Sequence, residues 1–219
     1  MCPLLPIRKP ILCYVTDRRS LAGSPDALES LLLDKIEEAV RGKVDWIQLR
    51  ERDLSGRELA ALSQQAVERS GGATRVLVND RLDVAFAVKA AGVHLGEKGL
   101  PVRAAKRLAK ERSIGHEFLV GVSRHSLEGA LEAETAGADY VIFGPVFATP
   151  SKAEFGQPQG LQRLKQACER LKIPVLAIGG ITEQNAWECF AAGAQGIAAI
   201  RLFQNAKDLG NAVERLRRT

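Results

Sequence analysis

Aromatic residues are scarce in this chain, at 5% of its length, and no groove-reading motif accompanies them. Nucleic-acid binding draws on stacking rings and clustered base contacts, so the scarcity argues against a nucleic-acid partner. It leaves anionic small molecules to account for the net charge of +5. Basic residues are spread along the chain, and the one local run, Arg215, Arg217 and Arg218, reads as a solvated helix face. Cysteine is sparse too: Cys2, Cys13, Cys168 and Cys189 stand far apart with no CxxC pair. That argues against a structural zinc site and a disulfide framework and points to a reduced, cytoplasmic setting. No apolar run approaches the roughly 20 residues of a membrane span. Residues 1–10 lack the apolar stretch of a signal peptide and read as an N-terminal extension. A glycine-rich dinucleotide turn is missing as well, since the first β-rich run leads into Thr16-Asp17-Arg18-Arg19.

What is present is a repeated unit. With 219 residues and 46% hydrophobic content, the chain can bury one large core, and we read residues 1–219 as a single domain. Eight short β-rich runs recur: 11–16, 44–49, 75–79, 92–95, 118–123, 140–143, 175–178 and 196–200. Between them apolar residues fall three and four apart, as in Leu28, Leu31, Leu32, Ile36 and Val40, the spacing of amphipathic helices. Ala91-Gly92-Val93, Ala136-Gly137-Ala138 and Ala192-Gly193-Ala194 form a weak internal repeat in which glycine is expected to end a helix in the left-handed conformation. Strands without strict alternation are buried on both faces, and alternation with helices implies parallel pairing. The expected class is α/β, a (β/α)8 TIM barrel; an open doubly wound sheet is the alternative.

Polar residues collect at the C-terminal ends of the expected strands: Asp17 and Arg18, Gln48 and Arg50, Asn79 and Asp80, His94, Ser123 and His125, Thr149 to Lys152, Gly179 and Gly180, and Arg201. In a barrel these ends share one mouth, where active sites lie. Gln48 and Arg50 alternate with Ile47 and Leu49, so both point to one side, and a polar pair inside a barrel calls for a ligand or a hydrogen-bond network. Asp17 and Arg18 read as a surface ion pair or a helix cap, with direct catalysis the alternative, and Asn79-Asp80 as a cap for a helix starting near Arg81 or as functional groups. His94 reads as a hydrogen-bonded core residue or a ligand contact. His116 reads as exposed. His125 is either a proton-transfer group at the mouth or a solvent-facing residue of the next helix. Thr149, Ser151 and Lys152 offer hydroxyls and a cation to an anionic oxygen cluster. Gly179-Gly180, followed by an expected helix start, suits backbone binding of phosphate.

In this order, these segments resemble the thiamine-phosphate synthase and thiazole tautomerase family over nearly the whole chain. They include Tyr14-Val15-Thr16-Asp17-Arg18, Gln48-Leu49-Arg50-Glu51-Arg52, Val78-Asn79-Asp80-Arg81, Gly92-Val93-His94-Leu95-Gly96, Gly121-Val122-Ser123, Thr149 to Lys152 and Ala177-Ile178-Gly179-Gly180-Ile181. The resemblance implies a barrel of thiamine biosynthesis that takes small phosphorylated pyrimidine and thiazole substrates and leaves a homo-oligomer open. In the synthase branch, pyrophosphate leaves an aminomethyl-pyrimidine diphosphate and a thiazole phosphate captures the resulting cation. Gln48 would then hold the pyrimidine, and Arg50, Arg52, Asn79, Ser123 and Lys152 the diphosphate. Thr149 and Ser151 would line the thiazole side, and Gly180 would bind its phosphate through backbone N–H. His94, Gly179 and Arg201 complete the expected substrate set, with Arg50, Ser123, His125 and Lys152 as the expected catalytic groups.

The same resemblance implies Mg2+ held by Asp80. The family's second aspartate is matched by Gly99, so substrate phosphates would supply the other oxygens. Arg52 stands where the family has Lys, and Arg201 where it has a small serine. Loss of the second aspartate fits the tautomerase branch, a metal-free isomerase of carboxythiazole phosphate that uses a histidine at the position of His125. A non-catalytic phosphate-binding barrel is a further alternative.

Overall fold

The computed structural model describes residues 9–112, 118–149 and 157–218. Eight strands pair in sequence order and close on themselves: β1 Ile11–Val15, β2 Trp46–Leu49, β3 Arg75–Asn79, β4 Gly92–Leu95, β5 Leu119–Arg124, β6 Tyr140–Phe143, β7 Val175–Ile178 and β8 Gly196–Ala199. Every neighbouring pair is parallel, including β1 with β8, so the expected (β/α)8 barrel is present. The helices are α1 Leu28–Arg41, α2 Gly56–Ser70, α3 Leu82–Ala87, α4 Val102–Glu111, α5 Leu127–Thr135, α6 Gly160–Arg170, α7 Ala186–Ala191, α8 Arg201–Gln204 and α9 Leu209–Arg218. No described helix is long and apolar enough to cross a membrane.

Each strand is buried on both faces, which is why its residues do not alternate between apolar and polar. Leu12, Ile47, Val78, Val93, Val120, Val141 and Ile197 pack outward against helix residues such as Leu32, Ile36, Leu62 and Leu164. Cys13, Trp46, Leu77, Tyr140, Leu176 and Ala198 fill the barrel. A fully buried Val, Leu or Ile contributes about 1.5–3 kcal/mol, so this two-sided burial dominates the fold's stability. Helix ends are specified locally. Ser55 and Glu58 form a reciprocal capping box at α2, and Gly71 ends that helix with φ +54°.

The glycine repeat holds in two of its three copies. Gly137 and Gly193 take positive φ after α5 and α7. Gly92 is instead the first residue of β4, where a Cβ would strike the Leu119 carbonyl, and Lys89, with φ +52°, supplies the left-handed turn after α3. The short α8, between β8 and α9, was not expected from periodicity, because four residues are too few to display a period of 3.6.

Candidate active site

Two residues beyond the barrel-filling Trp46 and Leu77, the inward faces of β2 and β3 carry Gln48 and Asn79, and β4 and β5 carry His94 and Ser123 on the same side. They make a nearly continuous polar layer. Gln48 is buried and donates through Nε2 to Asn79 Oδ1 at 2.9 Å. Asn79 in turn donates through Nδ2 to Asp80 Oδ2 at 2.9 Å. His94, 1% exposed, sits between the Ser123 hydroxyl, 2.8 Å from Nε2, and the Tyr140 hydroxyl, 3.1 Å from Nδ1. The sequence reading of Gln48 as an inward polar residue is met by this network, and His94 lies beneath Ser123.

Asp80 is not a helix cap. Arg81 occupies the N-cap position of α3 with no side-chain cap bond. At φ +58°, Asp80 turns its carboxylate toward the β4–α4 loop, where the Gly96 N–H donates to Oδ1 at 2.6 Å. A Cβ at Gly99 would stand 2.8 Å from that same oxygen. Gly99 therefore lies directly against Asp80, and the Asp80 carboxylate occupies space that a side chain there would need.

Arg50 follows on the rim of β2. Burial pushes its guanidinium below the ordinary arginine value, and repulsion from Arg52 adds to the effect, while Asp17, Asp80 and Glu51 act the other way. Among the described residues neither Arg50 nor Arg52 has an ion-pair partner. Arg18 differs: it is paired with Glu51 at 3.2 Å and Asp53 at 2.7 Å, so the sequence alternative of an Asp17–Arg18 pair is replaced by one between loops.

Glu51 escaped the sequence reading. Set between Arg50 and Arg52, it is only 5% exposed. It accepts the Thr16 hydroxyl at 2.5 Å and the Arg18 N–H at 3.0 Å, and Thr16 Oγ1 accepts the Arg50 N–H at 3.0 Å. A buried carboxylate thus fixes the backbone from which Arg50 projects. Gln204 was missed likewise: it accepts the Tyr14 hydroxyl and donates to the Asp17 carbonyl and Ser20 hydroxyl, tying α8 to the β1–α1 loop.

His125 precedes the α5 N-cap residue Ser126 and is partly exposed at the mouth. Its Nδ1 is hydrogen-bonded to the Gly144 carbonyl, and Nε2 faces Glu97 Oε2 at 4.0 Å. Thr149 is partly buried, and Ser151 and Lys152 lie outside the described residues.

Across the mouth, the β7 end offers backbone. Gly179 and Gly180 take φ +101° and +65°, and residues 144–148 pack on them. Val146 N–H donates to the Ile178 carbonyl and Phe147 N–H to the Gly179 carbonyl. A Cβ at Gly180 would lie 2.6 Å from the Ala148 carbonyl, so both glycines are required by close approach as well as by φ. The expected helix start immediately after them is absent. Asn185 accepts the Thr182 N–H and donates to the Gly180 carbonyl, closing a turn that delays α7 to Ala186. The N–H groups near Gly180 are therefore turn amides. Arg201 opens α8 as an exposed residue in a groove shared with Glu183, Asn205, Lys207 and Arg215.

Comparison with known proteins shows the family. Residues 12–203 match the thiamine monophosphate synthase family. The chain is 41% identical to the thiamine-phosphate synthase of Chlorobium luteolum over 94% of its own length and 91% of that protein. It is 41% identical to that of Moorella thermoacetica over 93% of each. The solved thiamine phosphate pyrophosphorylase of Pyrococcus furiosus superposes with a TM-score of 0.81 and 36% identity, covering 97% of this chain and 96% of that one.

Proposed function

Because the chain belongs to the thiamine monophosphate synthase family, we propose that its mouth joins an aminomethyl-pyrimidine diphosphate to a thiazole phosphate. The C–O bond to the diphosphate breaks with its electron pair leaving on pyrophosphate, and the thiazole nitrogen donates the pair that closes the new C–N bond. The enzyme is a transferase of thiamine biosynthesis, here taken as one barrel domain working in the cytoplasm.

The observation that carries this reading is the pair Arg50 and Arg52, two cations of the mouth that repel each other and have no ion-pair partner among the described residues. Such a pair is stabilised by an anion between them. Charge that accumulates on departing pyrophosphate is what the site must stabilise, and preorganised donors typically contribute about 10²–10³-fold in rate. Arg50, Arg52 and Ser123 supply those donors, and Lys152 joins them. Gln48, oriented by Asn79, takes the pyrimidine. Gly179, Gly180, Thr149, Ser151 and Arg201 take the thiazole phosphate, with His94 acting beneath Ser123 and His125 at the rim.

Asp80 is the residue that would hold Mg2+. An exposed carboxylate whose two oxygens each accept one hydrogen bond retains lone pairs for a hard cation, and one carboxylate with substrate phosphates is an ordinary magnesium donor set. The metal would supply charge neutralisation of the leaving group.

A steady-state assay of pyrophosphate release from both substrates, with Mg2+ and with chelator, tests the reading. Metal-dependent release with formation of the coupled product supports it. Isomerisation of carboxythiazole phosphate that vanishes in His125→Ala, without pyrophosphate release, replaces it with the tautomerase reading. Ligand binding with neither reaction leaves a non-catalytic barrel.

A further inference from the structure

The run Tyr140, His94, Ser123, buried at its first two members, has the composition of a nucleophile-activating relay, and its hydrogen-bond directions decide what it does. Tyr140 is 1% exposed and packs against Trp46 in a tilted arrangement, with ring centroids 4.6 Å apart. Its side chain fills the space above Gly121, where any Cβ would strike the phenol ring, so glycine at 121 is what admits the tyrosine. Burial pushes the phenol well above its ordinary value, so it keeps its proton.

A buried O–H has to donate, and the acceptor within reach of the Tyr140 hydroxyl among the described residues is His94 Nδ1 at 3.1 Å. If Nδ1 accepts, the proton of a neutral imidazole is on Nε2, which donates to Ser123 Oγ at 2.8 Å. Doubly protonated His94 would leave the phenol O–H without its acceptor.

We propose that Tyr140 and His94 are positioning residues that fix Ser123 as a hydrogen-bond donor toward the mouth. Ser123 Oγ receives the imidazole N–H, so its own proton is directed outward, where it meets an anionic oxygen. The direction is opposite to that of a serine nucleophile, whose histidine must accept the hydroxyl proton. Identification of the anion as diphosphate rests on the function proposed above; the tautomer does not.

The test begins with protein labelled with 15N-histidine at neutral pH, read by long-range 1H–15N correlation. The chain has three histidines, and His94→Gln identifies the signals of His94. The expected spectrum shows a protonated Nε2 and an unprotonated Nδ1. A protonated Nδ1, whether neutral tautomer or imidazolium, would overturn the proposal. Binding of inorganic pyrophosphate with Mg2+, measured calorimetrically on the full chain, is the second arm. Ser123→Ala is expected to weaken it about tenfold or more, the range of one hydrogen bond to a charged group. Tyr140→Phe, which frees the tautomer, is expected to weaken it about threefold, and His94→Gln, which can still accept and donate, to stay closer to wild type than His94→Leu. Pyrophosphate affinity unchanged in Ser123→Ala would also overturn the proposal. The Nε2–H tautomer in a wild-type chain that binds no pyrophosphate would instead overturn the diphosphate reading.

Discussion

The two halves of the barrel mouth are built by different means. From β2 to β5 the site is made of side chains: Gln48, Arg50, Asn79, Asp80, His94 and Ser123, most joined by hydrogen bonds of 2.8–3.1 Å. From β6 to β8 the described part is largely backbone, with Gly179 and Gly180 pressed against Pro145, Phe147 and Ala148. In the proposed function, the first half, with Arg50 and Arg52, meets a leaving group whose charge grows during reaction. The second offers fixed dipoles to a phosphate whose charge does not change. The proposed function assigns the diphosphate to the side-chain half and the monophosphate to the backbone half.

The division can be broken from either side. Arg50→Ala removes a partly buried cation from the side-chain half. We expect kcat to fall about 100-fold or more, the scale of a preorganised charge-stabilising donor, with the KM of the thiazole phosphate nearly unchanged in steady-state kinetics. Gly180→Ala attacks the other half, where the new Cβ meets the Ala148 carbonyl at a φ of +65°. Its expected signature is the reverse, a KM for thiazole phosphate raised about tenfold with a smaller change for the diphosphate, in line with about 1–3 kcal/mol of displaced or strained backbone.

Two milder substitutions sharpen the comparison. Glu51→Gln keeps the shape of the buried carboxylate but weakens its bonds to Thr16 and Arg18, which should cost about 1.5 kcal/mol. In a thermal melt that lowers Tm by about 3–6 °C for a chain of this size. Gly99→Asp restores a carboxylate beside Asp80, which must turn aside to admit it. The Mg2+ concentration for half-maximal rate is expected to drop about threefold; no change would mean that the metal is held elsewhere.

Much of the side-chain half was readable from the sequence. A glutamine, an asparagine and a serine ending strands that are otherwise apolar stand out, because an inward polar side chain needs a partner. What escaped notice was polarity hidden inside apolar context. Tyr140 opens a run of strand residues and lies 46 positions from the histidine it bonds, and only closure of the barrel brings the two together. Glu51 bonds Thr16 and Arg18, 35 and 33 positions away, so only the folded loops reveal its partners. On the backbone half, Gly179-Gly180 was legible as a pair, but the following helix was placed too early because Asn185 holds the intervening turn through its side chain. Lys89 took over a left-handed turn assigned to Gly92, which β4 needs for its approach to Leu119.

The most direct measurement is a crystal structure of the wild-type chain with pyrophosphate and Mg2+. The account predicts pyrophosphate against Arg50, Arg52 and the Ser123 hydroxyl, with the metal on Asp80. Pyrophosphate seated on Gly179 and Gly180, with Arg50 and Ser123 untouched, would contradict it.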